Sequence, residues 1–340
     1  MNLRKVKIGV IGIGHLGSKH VEQLLKVPEA EIVGLYDIDA QRCMHMAKKF
    51  ELECFPSYEK LLEESEAVSI VTPTRYHHEH ALQALAADNH VFIEKPIAQN
   101  LEQADEIIAI NRDKKKIFQV GHIERFNPAI IALDKIIINP LFIESHRLSS
   151  FDVRGTDVAV VMDLMIHDID LILSFVKSPV QEVDASGVSI VSTKEDIANC
   201  RLKFENGCVA NVTASRISAK KMRKMRFFQP NAYISIDFLE GITEMYYVQK
   251  EGLEIPDAGL AFSLGKLDMG DEKKNIHYAR LAKKDINPLH YELQLFCKSI
   301  INDTKPPVTA EDGQRAIKIA NMIINSIQEQ TKYVKKFWRI

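Results

Sequence analysis

The chain lacks the cysteine pattern of a disulfide framework or a zinc ribbon. Cys43, Cys54, Cys200, Cys208 and Cys297 are odd in number and contain no Cys-x-x-Cys pair, so all five read as reduced packing residues. Charge of one sign is also missing. Forty-four Lys and Arg stand against 46 Asp and Glu, a formal net charge of −2, which gives no global attraction for nucleic acid or an anionic membrane. A small-molecule partner is expected. No apolar run approaches the ~18 residues of a membrane span, and the segment from Met1 to Ile13 has neither the length nor the small-residue site of a secretory signal. The expectation is a soluble, cytoplasmic protein.

With 340 residues, 46% of them hydrophobic, the chain can bury two cores. From residue 5 to about 121, short β-branched runs alternate with helical periodicity, the pattern of a doubly wound parallel sheet. Strands are expected at 5–11, 31–37, 67–72, 90–94 and 117–121, with a weak sixth near 52–55, and helices at 15–27, 39–49, 57–64, 77–87 and 100–112. After Gly121 the pattern changes. A helical stretch over 128–138 precedes strand-like segments at 143–151, 181–190, 197–205, 207–216, 225–229 and 232–238, and Asn206-Gly207 marks a hairpin. Helices at 157–176, 288–302 and 311–329 would cover one face of this mixed, largely antiparallel sheet. The fold class is therefore α/β: a Rossmann domain over 1–121 and an α+β domain over 122–340. The charged stretch 265–286 reads as a mobile surface loop or a substrate cap.

Gly12-Ile13-Gly14-His15-Leu16-Gly17 directly follows the first strand and opens the first helix. In that context the first glycine allows the tight turn, the second lets the backbone approach a pyrophosphate, and the third lets helix and strand pack closely. Asp37 ends the second strand twenty residues beyond Gly17, placed to accept hydrogen bonds from an adenosine ribose. Its charge would repel a 2′-phosphate, so NAD is favoured over NADP, with Arg42 nearby as a tempering cation. Thr72-Pro73 and Glu94-Lys95-Pro96 end two further strands, at the carboxyl edge where open α/β sheets bind ligands. Lys95 reads either as an ammonium for a substrate hydroxyl or as a solvated strand-end lysine. His77 and His80 are spaced like metal ligands but lack a third, so no metal is assigned and a surface role at a helix N-terminus is the simpler reading.

Four signatures in fixed order resemble the Gfo/Idh/MocA oxidoreductase family: the glycine motif, Thr72-Pro73 with His77, Glu94-Lys95-Pro96, and Asp163-Leu164-Met165-Ile166-His167-Asp168-Ile169-Asp170. The segment Gly121-His122-Ile123-Glu124-Arg125-Phe126-Asn127-Pro128 resembles the branch containing UDP-N-acetylglucosamine 3-dehydrogenases. The resemblance implies Lys95, Asp163 and His167 as the catalytic group and a cis Lys95–Pro96 peptide. It adds Thr72, Pro73, His77, Glu94, Lys95 and Pro96 to the cofactor-contacting residues. It also implies pairing of C-terminal sheets into homodimers or homotetramers.

The spacing of Asp163 and His167 puts both on one helix face, and an imidazole is suited to removing a hydroxyl proton. His167 is thus the expected base, Lys95 would stabilise charge on the oxygen, and Asp163 would hold substrate or imidazole. Asp170 is expected to orient or cap, and Asp168 to point elsewhere. Arg125 and Asn127 are candidates for substrate or nicotinamide contact, or for a structural salt bridge. In the basic run 220–226, Arg223 and Arg226 offer forks for a nucleotide-sugar diphosphate, although such a run also occurs as a solvated strand face. The expected reaction is hydride transfer between a secondary alcohol of a sugar or nucleotide-sugar and NAD. The alternatives are a keto-sugar or inositol-type reductase or dehydrogenase, and a non-catalytic dinucleotide-binding regulator.

Overall fold

The computed structural model describes residues 4–151, 158–248, 259–268, 273–283 and 286–338. The chain forms two compact units, residues 1–123 with 287–317, and residues 124–286 with 318–340.

In the first unit, five parallel strands, β1 (Val6–Ile11), β2 (Ala30–Tyr36), β3 (Ala67–Ile70), β4 (His90–Glu94) and β5 (Phe118–Gly121), lie in the order β2-β1-β3-β4-β5. Order reverses between β1 and β3, the switch point at which such sheets open a crevice at the strands' carboxyl ends. Val6, Ile8, Val10 and Ile11 are all buried, as expected of a strand covered on both faces. Helices α1 (His15–Leu24), α2 (Ala40–Phe50), α3 (Tyr58–Glu64), α4 (His77–Ala86) and α5 (Leu101–Lys114) match the expected ones. Side-chain caps start three of them: Asp39 for α2, Ser57 for α3 and Asn100 for α5.

The weak sixth strand is reduced to one parallel bridge, Leu35 to Cys54. Pro56, two residues on, has no N–H with which to extend the ladder. Cys43 and Cys54 are joined by a disulfide with Cα atoms 5.8 Å apart, which corrects the reading of all five cysteines as reduced. Their spacing carried no motif, and only the return of residue 54 beside β2 brings them together. Cys200, Cys208 and Cys297 are free and buried.

Among the described residues, the second unit is built on nine strands. They are β6 (Phe142–Leu148), β7 (Val180–Val188), β8 (Ile197–Phe204), β9 (Val209–Ser215), β10 (Met222–Gln229), β11 (Ala232–Asp237), β12 (Ile242–Val248), β13 (Gly259–Asp268) and β14 (Lys273–Ala282). Their order is β13-β14-β12-β11-β10-β6-β9-β8-β7, antiparallel except for the β6–β9 pair. The β8–β9 hairpin turns at Gly207, where φ is +86°. Helices α6 (Pro128–Ile131) and α7 (Ile166–Phe175) cover one face, with a π-helical turn at Val161–Met165 leading into α7. Along β6, Ile143, Ser145 and Arg147 point inward and are buried. On the opposite face an aromatic ladder crosses six strands, from Phe142 through Phe228, Tyr233, Tyr246 and Tyr278 to Phe262, with successive ring centroids 5.1–6.0 Å apart.

Two expectations change here, and a third reaches outside the described residues. The 128–138 helix ends at Ile131 and continues as tight turns, since its β-branched isoleucines are weak helix formers. The charged stretch 265–286 is largely strand: β13 and β14 pair in a hairpin, with residues 269–272 and 284–285 outside the described residues. Lysines on these strands hid an alternation that buries Ala279 and Leu281. Residue 157, the start of the helix expected over 157–176, also lies outside the described residues.

The expected single cut at residue 121 also misses a return of the chain. Helix α8 (Pro288–Asn302) belongs to the first unit, where Leu293, Phe296 and Cys297 share a core with Ile13, Val21, Leu24 and Phe92. An apolar helix stripe states that it must be buried, not against which sheet. Helix α9 (Ala310–Trp338) contributes residues 310–317 to the first unit and its remainder to the second.

Candidate active site

Gly12, at φ +87°, has no room for a side chain: a Cβ would lie 2.8 Å from Thr72 and from the Val71 backbone. A Cβ on Gly17 would sit 1.9 Å from the Gly12 carbonyl oxygen. At Gly14 the corresponding space is empty to 4 Å. This glycine faces open room, where a ligand's phosphates can approach the backbone. Helix α1 starts there with no side-chain cap and no acidic residue in its first turn, so its N–H groups and positive dipole end are available to an anion. The residues present therefore fit a dinucleotide.

Asp37, almost fully buried, accepts hydrogen bonds from Ile13 N (2.7 Å) and Asp39 N (2.9 Å). Each carboxylate oxygen has a further lone pair for ribose hydroxyls. The Arg42 guanidinium lies 3.6 Å from it and 3.2 Å from Asp39.

The Glu94-Lys95-Pro96 segment contains a cis Lys95–Pro96 peptide, as the resemblance implied. Glu94 is buried and accepts from His20 Nε2 (2.9 Å) and from the Lys95 N–H (3.3 Å). Burial alone would raise its pKa, but the hydrogen bond from His20 and the positive charge of Lys95 outweigh burial and leave it below the usual carboxylate value. His77 is not on the surface. It is buried, with Nδ1 2.8 Å from the Pro96 carbonyl and Nε2 2.8 Å from the Thr72 carbonyl. Burial holds its pKa below the ordinary histidine value although both carbonyls favour the charged ring. It ties the Thr72-Pro73 turn to the loop after Lys95. His80 lies with Nδ1 3.3 Å from Thr72 Oγ1.

In the second unit, Asp163 sits in the π-helical turn and His167 in the first turn of α7. The π turn carries about 4.4 residues, so a spacing of four still leaves the two on one side of the segment. Asp163 is 3.9 Å from Arg216, a buried guanidinium that also donates to the Val158 carbonyl at 2.6 Å. Asp168 and Asp170 are both buried in ion pairs. Asp168 binds Arg147 through Nε (2.7 Å) and Nη2 (3.2 Å), and Arg147 also reaches Glu124 at 2.7 Å. Asp170 takes a two-pronged contact from Arg125, at 2.7 and 2.6 Å.

Family models match residues 6–122, described as an oxidoreductase family with an NAD-binding Rossmann fold, and residues 147–234, described as the GFO/IDH/MocA C-terminal domain. The chain belongs to the Gfo/Idh/MocA oxidoreductase family. It is thereby an NAD-binding oxidoreductase. A UDP-N-acetylglucosamine 3-dehydrogenase of Acidithiobacillus ferrooxidans is 38% identical over 71% of this chain and 77% of that protein. A solved structure of that enzyme superposes with a TM-score of 0.83, at 32% identity, over 96% of this chain and 99% of that one. A glucose-6-phosphate 3-dehydrogenase of Bacillus subtilis is 32% identical over 68% of this chain and 78% of the relative. No described helix is long and apolar enough to cross a membrane.

Against the pattern read from the sequence of this Gfo/Idh/MocA member, the glycine loop with His15 and Leu16, Asp37, Thr72, Pro73, His77 and Glu94-Lys95-Pro96 all fall in the first unit, and Asp163 with His167 in the second. Asn127 is consumed by the fold: its Nδ2 donates to Glu124 and to the Phe238 carbonyl, and its Oδ1 accepts from Ala129 N. Arg223 and Arg226 are separated by the strand's alternation. Arg223 shares the helix-bearing face with buried Met225 and Phe227 and lies 3.5 Å from Glu124, whereas Arg226 is on the aromatic-ladder face, 3.5 Å from Glu144. A basin of about 370 Å³ opens on that ladder face, with Glu144, Asp184 and Arg201 among its walls. Its location opposite the α7 face argues against a catalytic role. Sequence reasoning missed His20, Arg147 and Arg216. His20 had a readable signal, one helical turn beyond Gly17, but a buried arginine in an alternating strand looks like any polar residue.

Proposed function

We propose that the chain is an NAD-dependent dehydrogenase that oxidises a secondary alcohol of a nucleotide-sugar, with UDP-N-acetylglucosamine oxidised at C3 as the leading substrate. The observation that carries this is the likeness to the Acidithiobacillus enzyme of that name, the nearer of the relatives described above in identity. The nicotinamide, when bound, supplies the hydride acceptor. His167 takes the hydroxyl proton, Lys95 donates a hydrogen bond to the oxygen as it gains carbonyl character, and Asp163, steadied by Arg216, orients substrate or imidazole. Arg125 contributes to α7 through Asp170, and Arg223 remains a candidate for a phosphate oxygen. Asp37 favours NAD over NADP because two backbone N–H groups already hold its carboxylate in place.

A second reading is oxidation of a sugar phosphate or inositol. It is supported by the 32% identical glucose-6-phosphate 3-dehydrogenase and by a Thermotoga maritima myo-inositol 2-dehydrogenase, 24% identical over 96% of this chain. Absorbance of NADH with NAD and a panel of UDP-sugars, sugar phosphates and inositols tests both. Turnover on UDP-N-acetylglucosamine well above the others is expected, and turnover confined to inositols would overturn the leading reading. Self-association through the ladder face, as a dimer or tetramer, is part of the same proposal and is read by light scattering.

A further inference from the structure

We propose that His20 is a positioning residue for Lys95: its imidazole fixes the Glu94 carboxylate that borders the lysine, while Ser69 fixes the imidazole. The proposal rests on the reading of Lys95 as a catalytic group.

His20 is fully buried on α1, edge-on to Phe92 at 5.4 Å between ring centroids. Its two ring nitrogens are each 2.9 Å from an oxygen, Nδ1 from Ser69 Oγ and Nε2 from Glu94 Oε1. An ionised carboxylate only accepts, so Nε2 carries the proton, and in the neutral ring Nδ1 accepts the Ser69 hydroxyl. The second Glu94 oxygen accepts the Lys95 main-chain N–H. The carboxylate occupies space that exists because residue 121 is glycine: a Cβ there would come within 3.0 Å of Glu94 Cδ and Oε1. On the other side of Lys95, His77 holds the Pro96 carbonyl at 2.8 Å.

A Ser–His–Glu array invites comparison with an acyl-transfer triad. Ser69 is completely buried within β3, with no room for an acyl group, so it cannot act as a nucleophile. The array instead holds a negative charge that acts through space on the Lys95 ammonium. A carboxylate buried this deeply is costly unless hydrogen-bonded and opposed by charge, and the depressed Glu94 pKa accords with its staying ionised. Because His20 is on the helix that begins at Gly14, the element that offers N–H groups to an anion also sets the surroundings of Lys95.

The test compares His20→Gln, which keeps an N–H directed at Glu94, with His20→Leu, which keeps the bulk and loses the donor. Competitive acetylation of Lys95, followed by mass spectrometry in cofactor-free protein, reads the amine directly. In the leucine variant Lys95 should be acetylated about tenfold faster than in wild type, as follows when a neighbouring negative charge is lost or displaced. The glutamine variant should stay within about threefold of wild type. Turnover should fall in the leucine variant and recover in the glutamine variant, while the NADH dissociation constant changes little in either. Equal behaviour of the two variants, or unchanged labelling in both, overturns the proposal. If the leucine variant does not fold, Ser69→Ala is used, with faster labelling of Lys95 expected and wild-type labelling contradicting. Failure of the functional reading looks different: wild-type protein turns over no sugar, yet the labelling comparison stands unchanged.

Discussion

In the first unit the two buried acids at the carboxyl ends of strands are held by an imidazole and main-chain N–H groups, Glu94 by His20 and Asp37 by Ile13 and Asp39. In the second, the acids around α7 are held by guanidinium groups, Asp168 and Glu124 by Arg147 and Asp170 by Arg125, while Asp196, away from α7, is held by the main-chain N–H groups of Ile190, Val191 and Ser192. Hydrogen bonds from backbone or a neutral ring leave a carboxylate its negative charge and spare lone pairs, which can still recognise hydroxyls or steady an ammonium. A bidentate guanidinium neutralises the acid, which suits it to fixing one helix against a sheet. One arrangement keeps charge available, and the other uses it up in architecture.

The largest expected effect breaks the architectural side. Arg147 is buried between Asp168 and Glu124, whose charges outweigh burial and raise its pKa above the usual arginine value. Arg147→Met strands two buried carboxylates and should cost about 3–5 kcal/mol, read from urea unfolding. A loss under 1 kcal/mol would mean that the network is not what holds α7. Replacing Glu124 and Asp168 by Gln and Asn in the same background should recover a good part of the loss.

Next come the glycines of the dinucleotide loop. Gly17→Ala forces a Cβ against the Gly12 carbonyl oxygen and should cost about 1–3 kcal/mol. Gly14→Ala meets open space and should change stability by less than about 0.5 kcal/mol, while weakening NADH binding measured by fluorescence. Equal stability losses in the two variants would remove the distinction between a packing glycine and a ligand-facing one.

The smallest effect concerns acid. Burial lowers the pKa of His77 and, with the same sign, of His80 and His90. For a folded-state pKa below the unfolded one, the unfolded chain binds the extra proton. The stability is therefore full above about pH 6.5 and is lost as pH falls through the folded value. Glu94 follows the same rule at lower pH, with its contribution lost only below about pH 4.3. The first unit should thus lose hydrogen-exchange protection between pH 7 and 5, and His77→Gln should flatten that slope. An unchanged slope would show that His77 does not titrate in this window.

Much of the first unit was legible because each of its rules is local. A glycine loop follows a buried strand, an acid ends the next one, and capping residues open the helices. Where contacts come from far along the chain, legibility failed. The attachment of α8 to the Rossmann core, the Cys43–Cys54 bond and the buried state of His77 all depend on which surface a segment meets. In the second unit the first six strands were readable by alternation, while in β12, β13 and β14 adjacent tyrosines and lysines masked it. Arg223 and Arg226, each offered as a fork for a phosphate, lie on opposite faces of β10, because an odd spacing along a strand alternates the side chains.

The proposed dehydrogenase function requires Lys95 and His167 to act in one reaction on one alcohol. Steady-state NADH formation from UDP-N-acetylglucosamine by Lys95→Met and by His167→Asn, alongside their NADH dissociation constants, addresses it most directly. Turnover is expected to fall by about 10²–10⁴ in each, with dinucleotide affinity near that of the wild type. Near-normal turnover in either variant would contradict it.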